Sequence, residues 1–301
     1  HERSSAASDV YKRQGEAICD AKERLGYSNI VLAGWSGGGS LMMWYQALAE
    51  AGAGISDTAA GDPYTVAASR LPAANSIMML AAHVSRHRIF TEWLDPSITD
   101  ESQPHLGDAQ LNLYDAANPN QPPYSADFLE HFAQAQVARN RRITAWVKEK
   151  LAAIRASDSP WREFAFTVHG TMADPRWLDP SIEPSDREAG SCYLGDPQIV
   201  NDGPVGLARF CTLRSWLSQW SYDDARCDAI ASGSRISVPV LVIGNSADDA
   251  CTPSHTQRLY DAVTHEQKHL RVVKGATHYY TGANGAEHMA EACGVIENFL
   301  V

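Results

Sequence analysis

The sequence lacks the features that mark membrane proteins and nucleic-acid-binding proteins. None of its apolar runs approaches the ~20 residues that a membrane-spanning helix needs. Its 36 acidic residues outnumber its 25 basic residues, which gives a formal net charge of -11, and no basic stripe interrupts that excess. Such a charge opposes contact with phosphate-rich surfaces. Neither nucleic acid nor a membrane is therefore expected as a partner.

The six cysteines form no recognisable metal-binding or redox motif. They are widely scattered and include no C-x-x-C pair, so neither a structural zinc site nor a thioredoxin-like site is indicated. Cys192, Cys211 and Cys227 fall in one irregular region and could include a disulfide in an exported protein, while buried free thiols are the alternative. No cofactor is predicted.

The first fourteen residues do not resemble the start of a natural protein. The chain opens with His1 rather than Met, and residues 3–14 resemble a translated sequencing-adapter read-through of the kind that recurs in metagenome-derived sequences. We interpret residues 1–14 as a non-native leader on a truncated gene and expect native sequence from about Gly15. The total length of 301 residues is long for one simple domain, which favours one domain with an insertion.

A predicted strand, a sharp turn and a helix surround Ser36. Gly34, Ser36 and Gly38 match the pattern G-x-S-x-G between a short apolar run and a helical stretch. The turn in this motif is so tight that a side chain at either glycine would collide with the neighbouring strand or helix. Ser36 is thus predicted at the tip of the strand, where the N–H of Gly37 can stabilise an oxyanion. The alternative is a glycine-rich turn that contains a serine.

Apolar runs of strand length alternate with stretches of helical spacing towards both ends of the chain. Parallel strands buried on both faces have this composition. Their alternation predicts an α/β fold with a doubly wound, mainly parallel sheet. The predicted elements are helices over Glu16–Leu25, Ser254–Val263 and Glu287–Phe299 and strands over Ser76–Ala82, Val238–Ile243 and Leu270–Val273.

The middle of the chain has a different pattern, in which long helical stretches alternate with Pro-rich and Asp-rich segments. A helix is predicted from Ser125 to about Ile154 and another over Leu213–Trp220, with one strand at most, at Phe164–Val168. A helical insertion that packs over a catalytic serine would also shape the substrate cleft. The predicted domains are a leader at 1–14, an α/β core at 15–84 and 237–301, and an inserted, mostly helical cap at 85–236.

Three residues that can form a catalytic triad follow predicted strands. Ser36, Asp248 and His278 occur in this chain order, each at the carboxyl end of a strand, where a doubly wound sheet places its reactive groups. Asp249 comes directly after Asp248, so either aspartate could orient the histidine. The distance from the end of the strand favours Asp248.

From Gly15 onward the chain resembles the α/β-hydrolase superfamily, through the turn at residues 34–38 (the nucleophile elbow), the strand 239–243 with its acidic loop, and the turn 275–278. Within that superfamily it is similar to capped esterases often labelled dienelactone-hydrolase-like. The resemblance implies an α/β-hydrolase fold in which the serine attacks an acyl carbon, the histidine takes and returns its proton, and the aspartate orients the imidazole. It implies hydrolysis of a small-molecule carboxylic ester.

Small acyl or aromatic esters are the favoured substrates, since the sequence shows no lipid-binding surface. Trp35, His83 and Tyr279 adjoin the predicted reactive groups or the end of a strand and are expected to contact substrate. A structural, hydrogen-bonded role is the favoured alternative for His83. Amidases, peptidases and acyltransferases use the same triad, and a non-catalytic binding module that keeps the fold is an alternative from another class.

The chain departs from the superfamily before the elbow. Members carry several strands there, including the loop that supplies a second oxyanion N–H. Only about twenty residues separate the expected leader from Ser36. We therefore expect an incomplete oxyanion hole and slow turnover, because one such donor typically changes kcat by ~100 to 1,000-fold.

One rival motif predicts a metallopeptidase instead. His265, Glu266 and His269 match H-E-x-x-H, in which two histidines one helical turn apart bind zinc and the glutamate activates water. The motif requires a helix, whereas these residues lie in a short connection before a predicted strand, and no third ligand is evident. An exposed polar connector is the favoured interpretation, and no metal is predicted.

Overall fold

The computed structural model describes residues 6–158 and 160–301. The first five residues of the expected leader lie outside the described residues. Helix α1 begins well before the predicted start at Glu16. The strands are β1 Val31–Trp35, β2 Ile55–Asp57, β3 Pro63–Val66, β4 Ser76–Leu80, β5 Ala165–Thr167, β6 Phe210–Thr212, β7 Val240–Asn245 and β8 Lys268–Val273. The helices are α1 Ala6–Glu23, α2 Gly37–Glu50, α3 Arg86–Trp93, α4 Ala126–Ala156, α5 Pro175–Leu178, α6 Pro197–Asp202, α7 Leu213–Gln219, α8 Ala229–Gly233, α9 Pro253–Ala262 and α10 Gly285–Leu300.

Four strands form the central sheet in the order β1-β4-β7-β8, and every neighbouring pair is parallel. One row across the sheet pairs Ala33 with Met78, Met78 with Leu241, and Leu241 with His269. Because all four strands run the same way, their carboxyl ends lie along one edge. The segments that carry the predicted triad begin at that edge.

Helices cover both faces of this sheet. Met79 of β4 belongs to a buried cluster with Met43 of α2 and Leu259 of α9. The next residue back, Met78, belongs to a second cluster with Ala292 of α10. Successive strand residues point to opposite faces, so this division gives each face its own core. The predicted fold class, an α/β fold with a doubly wound, mainly parallel sheet, is confirmed.

The described residues divide into two compact units. One comprises the chain up to Arg86 together with Ser185–Arg187 and Arg226–Val301, and it contains the central sheet. The other comprises His87–Pro184 and Glu188–Ala225, which fall inside the predicted insertion. Its role as a cap over a substrate cleft stays a prediction.

The second unit is built on helix α4, which agrees closely with the helix predicted from Ser125. The Ser125 hydroxyl caps it by accepting a hydrogen bond from Phe128 N at 3.2 Å. Phe128, Phe132 and Ile143 are buried on one face of this helix. Strands β5 and β6 form an antiparallel pair, with β5 at the position of the one strand expected here.

The structure distinguishes between the two alternatives for the cysteines. All six cysteines are free, with Cys293 exposed and the other five buried. Of the alternatives for Cys192, Cys211 and Cys227, the structure therefore has free thiols.

No helix within the described ranges combines the length and apolar character needed to cross a membrane.

Candidate active site

Ser36 occupies a strained turn between β1 and α2. Its backbone has φ 51° and ψ -120°, a conformation that residues with side chains rarely adopt. The N–H of Ser36 donates to the carbonyl of Leu80 at 3.0 Å, so the sheet holds the turn in place. The serine is thus presented directly at the carboxyl end of β1.

The turn depends on glycine at two positions, one of which differs from the prediction. A Cβ at Gly34 would lie 2.5 Å from the backbone of Gly38, so this position requires glycine, as expected. A Cβ at Gly38 would meet nothing within 4 Å, and the predicted collision there is wrong. The second glycine that sterics require is Gly39, where a Cβ would lie 2.4 Å from the Cβ of Ala82.

Gly37 opens helix α2 beside two basic side chains. A Cβ at Gly37 would lie 2.9 Å from Nε of Arg86 and 3.2 Å from Nε2 of His83. His83 is 5% exposed, and it lies next to the residue that follows Ser36. The side chain of His83 therefore lies beside Gly37, whose N–H is the predicted oxyanion donor.

Asp248 and His278 form a buried hydrogen-bonded pair. Nδ1 of His278 lies 2.8 Å from Oδ2 of Asp248, and the two residues are 3% and 0% exposed. Oδ1 of Asp248 accepts hydrogen bonds from the backbone N–H groups of Ala250 at 2.8 Å and Cys251 at 2.7 Å. Both carboxylate oxygens are thereby fixed. An imidazole that donates from Nδ1 has its Nε2 lone pair left to accept a proton.

Asp249, the neighbour of Asp248, is also largely buried. Burial, reinforced by the charge of Asp248, raises the pKa of Asp249 to about 6. Of the two aspartates considered from the sequence, Asp248 is the one hydrogen-bonded to His278.

Aromatic rings connect the elbow to the histidine. The ring of Trp35, the residue before the serine, lies edge-on to His278 with 6.1 Å between centroids. The ring of Tyr279 lies 4.7 Å from His278 and is 53% exposed. Tyr280, which the sequence analysis did not single out, packs edge-on against Trp35 at 5.6 Å. The structure therefore gathers Trp35, Tyr279 and His278 into one aromatic group.

The loop that carries Asp248 is joined to the loop that carries His278 by hydrogen bonds that the sequence did not indicate. Nδ2 of Asn245 donates to the carbonyl of Thr277 at 2.8 Å. The N–H of Ala247 donates to the carbonyl of Ala276 at 2.9 Å. These bonds fix the backbone on both sides of the acid–histidine pair.

The H-E-x-x-H match lacks the helix that a zinc site of this type needs. His265 and Glu266 lie in the connection between α9 and β8, and His269 is part of strand β8. Nδ1 of His265 instead accepts the N–H of Gln267 at 3.2 Å. His265 and Glu266 therefore lie in the predicted connector, whereas His269 belongs to a strand that begins two residues earlier than predicted.

No protein-family model matches the sequence, and no curated protein matches it either. Among solved structures, the chain is similar to a monoacylglycerol lipase of Paleococcus ferrophilus, with a TM-score of 0.41, 15% identity, and coverage of 95% of this chain and 75% of that one. It is similar to the alpha/beta hydrolase GrgF from Penicillium sp. sh18, with a TM-score of 0.45, 11% identity, and coverage of 96% and 71%. It is also similar to a proline iminopeptidase of Mycobacterium smegmatis, with a TM-score of 0.39, 17% identity, and coverage of 97% and 71%.

Proposed function

We propose that this chain is a serine hydrolase of the α/β-hydrolase superfamily that cleaves carboxylic esters through an acyl-enzyme intermediate. The observation that carries the proposal is the 2.8 Å hydrogen bond between His278 and Asp248, buried at the edge of the sheet where the strained Ser36 turn also lies. A serine, an imidazole and a carboxylate in these roles are what acyl transfer requires.

The proposed reaction assigns one task to each group. Oγ of Ser36 forms a bond to the acyl carbon while its proton moves to Nε2 of His278. Asp248 stabilises the imidazolium that results. The carbonyl oxygen becomes an oxyanion, which the N–H of Gly37 stabilises. The imidazolium then protonates the leaving alkoxide, and a water molecule repeats the sequence to release the acid and restore Ser36.

The proposed substrate is a small acyl or aromatic ester. Trp35 and Tyr279 place aromatic surface around the histidine, which suits an apolar or aromatic group on the substrate. His83, beside Gly37, is proposed to contact the same region of substrate. The expectation of a missing second oxyanion donor stays a prediction.

A fluorophosphonate probe tests the proposal, because it reacts with an activated serine and needs no knowledge of the substrate. We expect labelling of the wild-type chain and its loss in Ser36→Ala, with strong reduction in His278→Ala. Ser28→Ala is a matched control, since Ser28 is exposed and lies before β1. Labelling that persists in Ser36→Ala would disprove the assignment of the nucleophile. A folded protein without any labelling would favour a non-catalytic binding module.

A further inference from the structure

A thiol lies beside the acid–histidine pair. Among the described residues, donor atoms of Asp248, Cys251 and His278 all lie within 4.8 Å of one another. The three residues are 0%, 1% and 3% exposed. The proposed reaction uses the aspartate and the histidine but gives no task to the Cys251 side chain.

We propose that Asp248, Cys251 and His278 form an inhibitory site for a thiophilic divalent cation such as Zn²⁺ or Cd²⁺. Binding of the cation follows from the donor set itself. Inhibition rests on the proposed function, because it requires that His278 and Asp248 act in catalysis.

The donor set suits a thiophilic cation better than a hard one. A thiolate, an imidazole and a carboxylate are the usual ligands of Zn²⁺, whereas Mg²⁺ and Ca²⁺ prefer oxygen alone. Zinc–ligand bonds of ~2.0 to 2.3 Å place tetrahedral ligands about 3.3 to 3.8 Å apart. Donor atoms that already lie within 4.8 Å need to approach by about 1.5 Å at most, which side-chain rotation can supply. Three protein ligands leave the fourth position open to water.

The backbone already brings two of the donors together. The N–H of Cys251 donates to Oδ1 of Asp248 at 2.7 Å, so the same tight turn carries the thiol and the carboxylate. His278 is attached to that turn through its hydrogen bond to Oδ2 of Asp248. Little reorganisation is needed to gather the three ligands, which favours binding.

Metal binding and catalysis compete for the same atoms. Nδ1 of His278 and Oδ2 of Asp248 lie 2.8 Å apart in a hydrogen bond, which a cation bound to both atoms would replace. A cation bound to Nε2 would instead occupy the lone pair that accepts the proton of Ser36. Either arrangement stops acyl transfer. The Cys251 thiol must also release its proton to solvent before it can coordinate the metal.

Thiolate-to-metal charge transfer gives a readout that does not depend on activity. We would titrate Cd²⁺ into a Cys293→Ser protein, which removes the one exposed thiol, and record near-ultraviolet absorption after prolonged incubation, because the site is buried. We expect a thiolate band that saturates at one cadmium ion per chain and that Zn²⁺ displaces. Adding Cys251→Ser should abolish the band. Adding His278→Ala should weaken cadmium binding by more than about tenfold, since even outer-shell partners of a metal contribute roughly 10- to 100-fold.

Two results would overturn the proposal. One is a folded Cys293→Ser protein that shows no thiolate band at saturating Cd²⁺. The other is a band that is unchanged by both Cys251→Ser and His278→Ala. The His278→Ala titration retains the thiol, so the test stands even if the cysteine variant does not fold.

Inhibition is measured separately, as the ratio of each protein's ester hydrolysis with and without Zn²⁺. The wild-type chain should lose activity, whereas the Cys251→Ser chain should need more than about tenfold more Zn²⁺ for the same fractional loss. A cadmium band without fluorophosphonate labelling would leave the metal site standing and refute the proposed function. Labelling at Ser36 without a cadmium band would refute the metal site alone.

Discussion

Replacing Asp249 by asparagine should stabilise the protein much more at pH 8 than at pH 4. Burial and the neighbouring Asp248 raise the pKa of Asp249 from 3.8 to about 6 in the folded chain. The folded state therefore holds this proton more tightly than the unfolded state does. The resulting destabilisation is absent well below pH 3.8, grows as the pH rises towards 6, and is constant above that value.

The size of the effect follows from the two pKa values. At about 1.4 kcal/mol per pKa unit, ionising Asp249 lowers the free energy of unfolding by less than about 1 kcal/mol at pH 4 and by about 3 kcal/mol at pH 8. Asparagine has a similar shape and carries no charge, so Asp249→Asn removes this pH-dependent loss of stability. Groups that titrate equally in both proteins cancel when the variant is compared with wild type at each pH.

Denaturant unfolding at pH 4 and pH 8, with a chelator present, measures the effect. We expect the stability difference between Asp249→Asn and wild type to increase by about 2 kcal/mol between the two pH values. Asp261→Asn serves as the control, because Asp261 is exposed and its carboxylate accepts a hydrogen bond from Gln257. If the stability difference between Asp249→Asn and wild type is the same at both pH values, burial does not raise the pKa of Asp249.

Three further predictions concern the elbow, the loops and the long helix. Gly34→Ala should abolish fluorophosphonate labelling, because the added Cβ would lie 2.5 Å from the backbone of Gly38. Gly38→Ala should retain labelling, because a Cβ there meets open space. Equal labelling of the two variants would contradict this prediction. Asn245→Ala should lose the hydrogen bond to Thr277 and about 1 kcal/mol of stability by denaturant unfolding, and an unchanged midpoint would count against a structural role for that bond. Ser125→Ala should lower stability by about 1 kcal/mol through loss of the helix cap, while Ser125→Asp should restore it.

Local patterns allowed much of the fold to be predicted. The G-x-S-x-G segment, the apolar strands and the capped start of α4 are each specified by residues close in sequence, and the structure forms them near the predicted positions. The antiparallel pair of β2 and β3 was not predicted, because these strands are short and half-exposed and lack a continuous apolar run.

The details of the site depend on contacts between distant residues, which a pattern does not reveal. The need for glycine at Gly39 arises from Ala82, which follows a different strand. The hydrogen bond between His278 and Asp248 joins residues 30 positions apart, so the fold and not the local pattern identifies this aspartate as a partner of the histidine. Asn245 acts through a carbonyl on another loop, so its sequence neighbours give no signal of that contact.

Intact-protein mass spectrometry during turnover of a small aryl ester tests the proposed chemistry most directly. We expect a covalent adduct with the mass of the acyl group, located on the peptide that contains Ser36 and absent from Ser36→Ala, and a burst of released phenol that matches the number of active sites. Ester hydrolysis that proceeds in Ser36→Ala at the wild-type rate, or an acyl group found only on a different residue, would contradict the proposed chemistry.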